Sequence, residues 1–158
     1  MQLNISTRYA MQIILYLARN KNIVSSTELS AKMKISPRYI LLIAGKLRDG
    51  GLIVTRAGMS GGVTLNKEAS DISVYDVIKL MEGDITIPEY AVGLPNSDEP
   101  YKNSNLLDSL SKVKDYLETY LKTITFDKLV DASVKGSLSE ILDLVETHID
   151  EIRQKNPV

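Results

Sequence analysis

The chain has 158 residues, about the size of one domain, and 44% of them are hydrophobic and 25% charged, which excludes a large multidomain enzyme and a disordered or fibrous protein. The sequence contains no cysteine, which excludes disulfide bonds, thiol nucleophiles and cysteine-held zinc or iron–sulfur sites. The formal net charge is −1, the longest apolar run, at 13–18, is far too short to cross a bilayer, and no signal-peptide pattern is present, so we expect a soluble cytoplasmic protein.

The first predicted helix starts at Ser6 or Thr7, either of which can cap it, and ends near Asn20. Apolar residues recur in it at three- and four-residue spacing from Tyr9 to Leu17. One face of this helix is therefore expected to be buried.

Two further helices are predicted, with a tight turn between them. Residues 25–28 have the S-x-x-E form, in which the Ser hydroxyl and the Glu carboxylate accept each other's backbone N–H groups, and they open a short helix that ends near Met33. Ser36 then caps a third helix over 37–49, in which a proline fits the first turn and two glycines follow the end.

Two short apolar segments, 52–55 and 63–65, follow these helices and flank a glycine-rich stretch at 56–62, which predicts a β-hairpin. Three helices followed by a hairpin, with a tight turn between the second and third helices, is the order of a winged helix-turn-helix. A small α+β core with no role in nucleic-acid binding is the alternative. The predicted fold class is mainly α with a small β-hairpin wing.

A fourth helix is predicted after Ser73, where Asp76 completes a second capping pattern, and Gly83 is expected to end it in a left-handed conformation. Residues 84–104 lose all periodicity and contain three prolines, so they are predicted to form a loop.

A regular apolar stripe returns after this loop and favours helix-on-helix packing like that of a short coiled coil. The stripe predicts a homodimer, with packing inside one subunit as the alternative. A last helix is predicted from Ser137 to about Arg153. The predicted division is a winged helix-turn-helix domain at 1–83, a loop or effector segment at 84–104, and a helical dimerisation region with a C-terminal helix at 105–158. The predicted dimerisation residues are Leu106, Leu110, Val113, Leu117, Tyr120 and Ile124.

Charge is distributed unevenly along the chain. Residues 1–67 contain ten basic and two acidic residues, a net charge of +8, whereas the remainder contains nine basic and eighteen acidic residues, a net charge of −9. A basic module that binds a polyanion, joined to an acidic assembly module, would have this pattern. A bipolar globule with solvated charges is equally compatible with it.

Five ordered segments, spread over roughly residues 1–130, resemble the Rrf-type family of bacterial winged helix-turn-helix transcription regulators, which includes IscR, NsrR and CymR. The segments are Arg8-Tyr9-Ala10, Ser36-x-x-Tyr39, Leu47-Arg48-Asp49-Gly50-Gly51-Leu52, Gly58-x-x-Gly61-Gly62 and Ile72-Ser73-x-x-Asp76-Val77-Ile78-x-x-Met81-Glu82-Gly83. The resemblance implies a homodimer, held by a long helix after the winged domain, that binds an approximately palindromic operator.

The sequence also departs from the family pattern. Many relatives place three cysteines in the segment equivalent to 84–104 and hold an iron–sulfur cluster there, sometimes with an acidic ligand near the start of the first helix, where this chain has Arg8. The chain therefore resembles the cluster-free branch, whose members respond to a small molecule, to a partner protein or to no signal yet known, so no cofactor is expected. Relatives often carry a Glu-Gln pair where this chain has Leu41 and Leu42, and a wing arginine at the position of Ala57.

These observations predict a DNA-binding regulator, acting as a repressor, whose third helix enters the major groove with its wing near the minor groove. A winged-helix module that binds a partner protein and not DNA is the alternative, and no enzyme site can be read from the sequence. Tyr90 and Tyr101 are candidates for an effector site, although a plain linker fits equally well. The predicted DNA-binding residues are Ser26, Thr27, Arg38, Leu41, Leu42, Lys46, Arg48, Arg56, Met59 and Ser60.

Overall fold

The computed structural model describes residues 3–58, 61–86 and 104–135, and it confirms a mainly helical fold with a two-stranded antiparallel wing. The predicted helix at 137–153, Tyr90 and Tyr101 lie outside the described residues. In chain order the elements are α1 (Ile5–Asn20), α2 (Ser26–Met33), α3 (Pro37–Asp49), β1 (Ile53–Arg56), β2 (Gly62–Leu65), a 3₁₀ turn (Ala69–Asp71), α4 (Val74–Glu82), α5 (Ser104–Thr123) and α6 (Phe126–Lys135).

Helix α1 crosses the centre of the domain and packs against α3, α4, α6 and the wing. Its apolar face is buried as predicted, from Ala10 to Leu17. The expected cap is wrong, because Asn4 occupies the N-cap position and Thr7 is fully buried. The Thr7 hydroxyl instead donates a hydrogen bond to the Glu82 carboxylate at the end of α4. Thr7 therefore contacts a residue of another helix and does not cap α1.

One hydrophobic core holds the helices and the wing together. Each large apolar side chain buried here contributes about 1.5–3 kcal/mol relative to exposure. A short backbone pairing between Val24 and Val63, with N···O distances of 2.9 and 2.8 Å, adds the segment before α2 to the edge of the wing. Besides the α1 face, the core includes Leu29, Ile40, Ile43, Leu47, Ile53, Val63, Ile72, Val77 and Phe126.

The capping pattern predicted for α4 is present. The Asp76 backbone N–H donates to Ser73 Oγ over 3.2 Å, and the Ser73 N–H donates to Asp76 Oδ2 over 2.8 Å. The expected left-handed end is wrong, because Gly83 has φ 88° and ψ −161°, a region open essentially to glycine alone. The chain therefore leaves α4 in an extended direction.

Helix α6 was not expected from the sequence. Its first residue, Phe126, is 1% exposed and lies in the same core as α1. Backbone hydrogen bonds from Phe126 N–H to Ile72 O and from Val74 N–H to Ile124 O tie the α5–α6 junction to the start of α4. The chain after α5 thus returns to the winged domain and contributes to its core.

The predicted dimerisation stripe has a part that is packed within the chain and a part that is exposed. Leu117 and Ile124 pack within the chain, against a small cluster that includes Tyr75 of α4. Val113, by contrast, is 59% exposed, as is Tyr116 beside it. None of the helices in the described part of the chain is long and apolar enough to cross a membrane.

Candidate DNA interface

The turn between α2 and α3 is held by local hydrogen bonds. Lys34 ends α2 in a left-handed conformation, with φ 54°, and donates its backbone N–H to Ser30 O. Ser30 Oγ donates to Ile35 O over 2.5 Å, and Ser36 Oγ accepts the Tyr39 N–H over 3.3 Å at the start of α3. The three residues between the helices therefore set the angle at which α3 leaves α2.

Helix α3 has one buried and one exposed face, as predicted. Ile40, Ile43, Ala44 and Leu47 are at most 2% exposed. The opposite face contains the exposed Arg38, Leu41 and Leu42, and Gly45 leaves open space there because no atom lies within 4 Å of where its Cβ would be. This face is free to contact a partner along about two helical turns.

The two leucines are the most unusual feature of that face. Leu41 is 58% exposed and Leu42 is 60% exposed. An isolated exposed apolar residue is common, but two adjacent exposed leucines on one helix form a small apolar contact surface.

The amino end of α3 is also anchored to α1. The rings of Tyr9 and Tyr39 meet edge to face, with centroids 6.0 Å apart and planes at 90°. Edge-to-face pairs of this kind contribute about 0.5–1.5 kcal/mol beyond buried area. Motion of α3 relative to α1 would break this contact.

The predicted phosphate-binding residues lie at both ends of the helix-turn-helix. Thr27 is exposed and Ser26 half-buried in the first turn of α2, while Lys46 and Arg48 are exposed in the last turn of α3. Arg48 Nη2 contacts Asp49 Oδ1 at 2.8 Å, with side chains 53% and 69% exposed. Because an exposed ion pair contributes at most about 1 kcal/mol, Arg48 can exchange this partner for a phosphate.

The wing turns tightly between its strands. Arg56 is exposed at the end of β1, where it pairs with Gly62 in the hairpin. A Cβ on Gly61 would lie 2.3 Å from Arg56 O, and one on Gly62 would lie 2.4 Å from Val24 O, so only glycine fits at either position. The predicted wing residues Met59 and Ser60 lie outside the described residues.

Both acidic residues of the basic half have partners within it. Asp49 contacts Arg48, and Glu28 Oε1 accepts a hydrogen bond from the Tyr16 hydroxyl over 2.7 Å. The bond to Glu28 is the main cause that raises the pKa of Tyr16. The Ser25 hydroxyl accepts a hydrogen bond from the Glu28 N–H as predicted. The predicted return bond, from the Ser25 N–H to the Glu28 carboxylate, is wrong, because that carboxylate accepts a hydrogen bond from the Tyr16 hydroxyl. Sequence spacing alone did not indicate this pairing.

Thiolate ligands are absent from the sequence and imidazole ligands are scarce. The sequence has no cysteine and one histidine, His148, which lies outside the described residues. Over 3–58, 61–86 and 104–135, no three His, Cys, Asp or Glu side chains are grouped so that they could hold a metal ion. The side chains present do not fit an iron–sulfur cluster held by thiolates.

Residues 3–132 match the model of the Rrf2 family, described as "Iron-dependent Transcriptional regulator". The match covers the helix-turn-helix, the wing, α4 and α5 and extends into α6. The chain has none of the cysteines whose thiolates would hold an iron–sulfur cluster, so the iron dependence in that description cannot rest on a thiolate-held cluster in this chain.

Individual proteins agree with this match. The chain is 39% identical over 85 residues to YffB of Lactococcus lactis, named an HTH-type transcriptional regulator, and spans 54% of its length. It is 30% identical over 137 residues to the protein aau3 of Rhizobium meliloti, covering 84% of this chain and 86% of that one. The structure of CymR, the global cysteine regulator of B. subtilis, has the same fold, with a TM-score of 0.63 and 23% sequence identity. The two structures match over 83% of this chain and 97% of CymR. The chain belongs to the Rrf2 family of DNA-binding transcriptional regulators.

Proposed function

We propose that the protein is a homodimeric repressor that binds an approximately palindromic operator and responds, without an iron–sulfur cluster, to a small molecule or a partner protein. The observation that supports operator binding best is the exposed face of α3, where Arg38, Leu41 and Leu42 project while the other face is buried. In a helix-turn-helix this is the arrangement of a helix that enters the major groove.

Each part of the interface has a separate role in this proposal. Lys46, Arg48 and the first turn of α2 bind phosphates and fix the register on the duplex, whereas the α3 face contacts base edges. Arg56, with Met59 and Ser60, brings the wing to the minor groove, where a narrow A·T-rich segment attracts a guanidinium group.

The homodimer is supported by the exposed apolar residues of α5. Val113 and Tyr116 lie on the stripe or at its border and are exposed in the single chain. Packing of α5 against its two-fold copy would bury both side chains. It would also place the two α3 helices of the dimer apart, so that each could enter the major groove of one half-site. The segment 84–104, with Tyr90 and Tyr101, is the proposed site at which an effector acts.

The two exposed leucines also favour a second candidate, a winged-helix module that binds a partner protein and not DNA. The salt dependence of binding distinguishes the two candidate functions. A dimer that neutralises about eight phosphates should lose DNA affinity with a log–log salt slope of about −7, whereas a protein partner held by apolar contacts should show far weaker salt dependence.

The experiment is selection of binding sites from random duplexes with the full-length protein, followed by titration of the selected duplex at several salt concentrations. We expect an enriched inverted repeat and a slope near the value above. Failure to enrich any sequence would favour the protein-binding module. Transcription in vitro from a promoter that overlaps the selected site should fall on addition of the protein, and a rise would contradict the repressor role.

A further inference from the structure

A cleft opens between the carboxyl end of α1 and the connection from β2 to α4. Its volume is about 210 Å³, and Leu17 and Leu65 are among the residues that line it. Pockets for drug-sized ligands are usually about 300–1,000 Å³, so the volume of this cleft matches a smaller molecule.

Three charged side chains line the same cleft: those of Lys21, Lys67 and Glu68. All three residues are exposed, and none of them takes part in the ion pairs found among the described residues. The cleft therefore offers two ammonium groups and one carboxylate that form no ion pair with one another. A ligand that carries both a negative and a positive charge would complement all three.

The backbone that carries these charges is held by hydrogen bonds. Lys21 caps α1 in a left-handed conformation and donates its N–H to Leu17 O over 3.0 Å. On the other wall, Glu68 O accepts the Asp71 N–H over 2.9 Å, and the Asn66 N–H donates to Leu52 O over 3.0 Å. Because the backbone is already ordered, a ligand would order only side chains on binding.

We propose that this cleft binds a small zwitterion of the α-amino-acid type. Glu68 accepts hydrogen bonds from the ligand ammonium group, which the negative end of the α1 dipole also favours. Lys21 and Lys67 donate to the ligand carboxylate, and the partly exposed Leu65 contacts its side chain. Since β2 forms part of one wall, a bound ligand would link α1 to the wing.

The test is a titration of the ¹⁵N-labelled full chain, without DNA, with three matched probes. L-valine carries both charges, 3-methylbutanoate lacks the ammonium group, and isobutylamine lacks the carboxylate. We expect L-valine to produce saturable amide shifts, at millimolar concentrations, around residues 18–21 and 64–69. The two singly charged probes should bind at least about tenfold more weakly, because each loses charge-assisted hydrogen bonds.

Variants assign the charges to residues. Glu68→Gln should weaken L-valine binding about tenfold and leave 3-methylbutanoate unchanged. Asp71→Asn, which removes an exposed acid that does not line the cleft, should change neither. The proposal is overturned by the absence of saturable shifts with L-valine, by equal binding of the three probes, or by unchanged L-valine binding in Glu68→Gln. Because no DNA is present, the result is independent of operator binding.

Discussion

Leu41 and Leu42 lie on the exposed face of α3, which we propose enters the major groove, and both are more than half exposed. Leucine can neither donate nor accept a hydrogen bond, so it discriminates bases by contact with thymine methyl groups or by leaving polar base edges unpaired. We expect A·T pairs at the contacted positions of each half-site. Leu41→Ala and Leu42→Ala should each reduce the thymine preference by about 1 kcal/mol, measured by repeating the site selection with each variant.

Lys46, for which we propose a phosphate contact, serves as the control for the leucine variants. Lys46→Ala should weaken binding to all duplexes and reduce the salt slope by about 1, whereas the leucine variants should leave that slope unchanged. An unchanged thymine preference in both leucine variants would show that these side chains do not contact bases.

At the same scale, local patterns predicted which side chains of α3 are exposed but not which acids are paired. Helical spacing alone separates Leu41 and Leu42 from the buried face, because each residue turns by 100°. The S-x-x-E pattern predicted that the Glu28 carboxylate returns to its own N-cap, but the Tyr16 hydroxyl from α1 takes that carboxylate. A local pattern cannot reveal such a competitor, because only packing of α1 against α2 brings the two residues together.

Glu82 joins two elements, since its carboxylate at the end of α4 binds the start of α1. Its oxygens accept hydrogen bonds from the Thr7 hydroxyl, from the Asn4 N–H over 2.8 Å, and from Asn4 Nδ2 over 2.5 Å. The Thr7 hydroxyl and then the Asn4 backbone amide are the main causes that hold the pKa of Glu82 below its usual range, and the charge of Lys46 lowers it further.

The lowered pKa predicts how stability depends on pH. The folded state binds this proton less readily than the unfolded chain does, so the contribution of Glu82 is complete above the unfolded pKa of about 4.3 and is lost as the pH falls through the lower folded value. We expect Glu82→Gln to be less stable than wild type at pH 7 and the difference to shrink below about pH 4.3. Urea unfolding at several pH values measures this difference, and a constant difference down to pH 3 would contradict the prediction.

Phe126 connects α6 to the core of the winged domain. It is 1% exposed among residues of α1 and the segment before α4. Phe126→Ala should therefore lower the free energy of unfolding by about 3–5 kcal/mol, and Phe126→Leu by less, in urea titrations of the full chain. A loss below about 1 kcal/mol would show that α6 does not support the domain.

The elements with strong local signals were predicted, and those that depend on tertiary partners were not. The first five helices and the hairpin have caps, turn glycines or clear periodicity, and the structure contains each of them. Helix α6 is ten residues long and follows α5 after two residues, without a glycine or proline to mark the boundary. Its position depends on backbone pairing between Ser73 and Thr125, which no local pattern reveals.

For the whole molecule, the stripe on α5 predicts assembly, but the structure changes which residue tests it. Leu117 packs within the chain, close to Tyr75 and Ile78, so its substitution by aspartate would disturb the fold as well as a dimer. Val113 is 59% exposed in the single chain and is free of this difficulty. In a two-fold dimer each α5 contributes one Val113, so a single substitution removes both valine side chains from the interface.

We expect Val113→Asp to raise the dissociation constant of the dimer by roughly a thousandfold, because burial of two valine side chains contributes about 3–6 kcal/mol. Sedimentation equilibrium at several concentrations measures this change. Ser111→Asp introduces the same charge at an exposed position on the opposite side of α5 from Val113 and Tyr116 and should leave the dimer intact. Unfolding of Val113→Asp at low concentration, where wild type is also monomeric, should match that of wild type. A Val113→Asp protein that stays dimeric would show that subunits associate through another surface, or that the exposed part of the stripe binds a different partner.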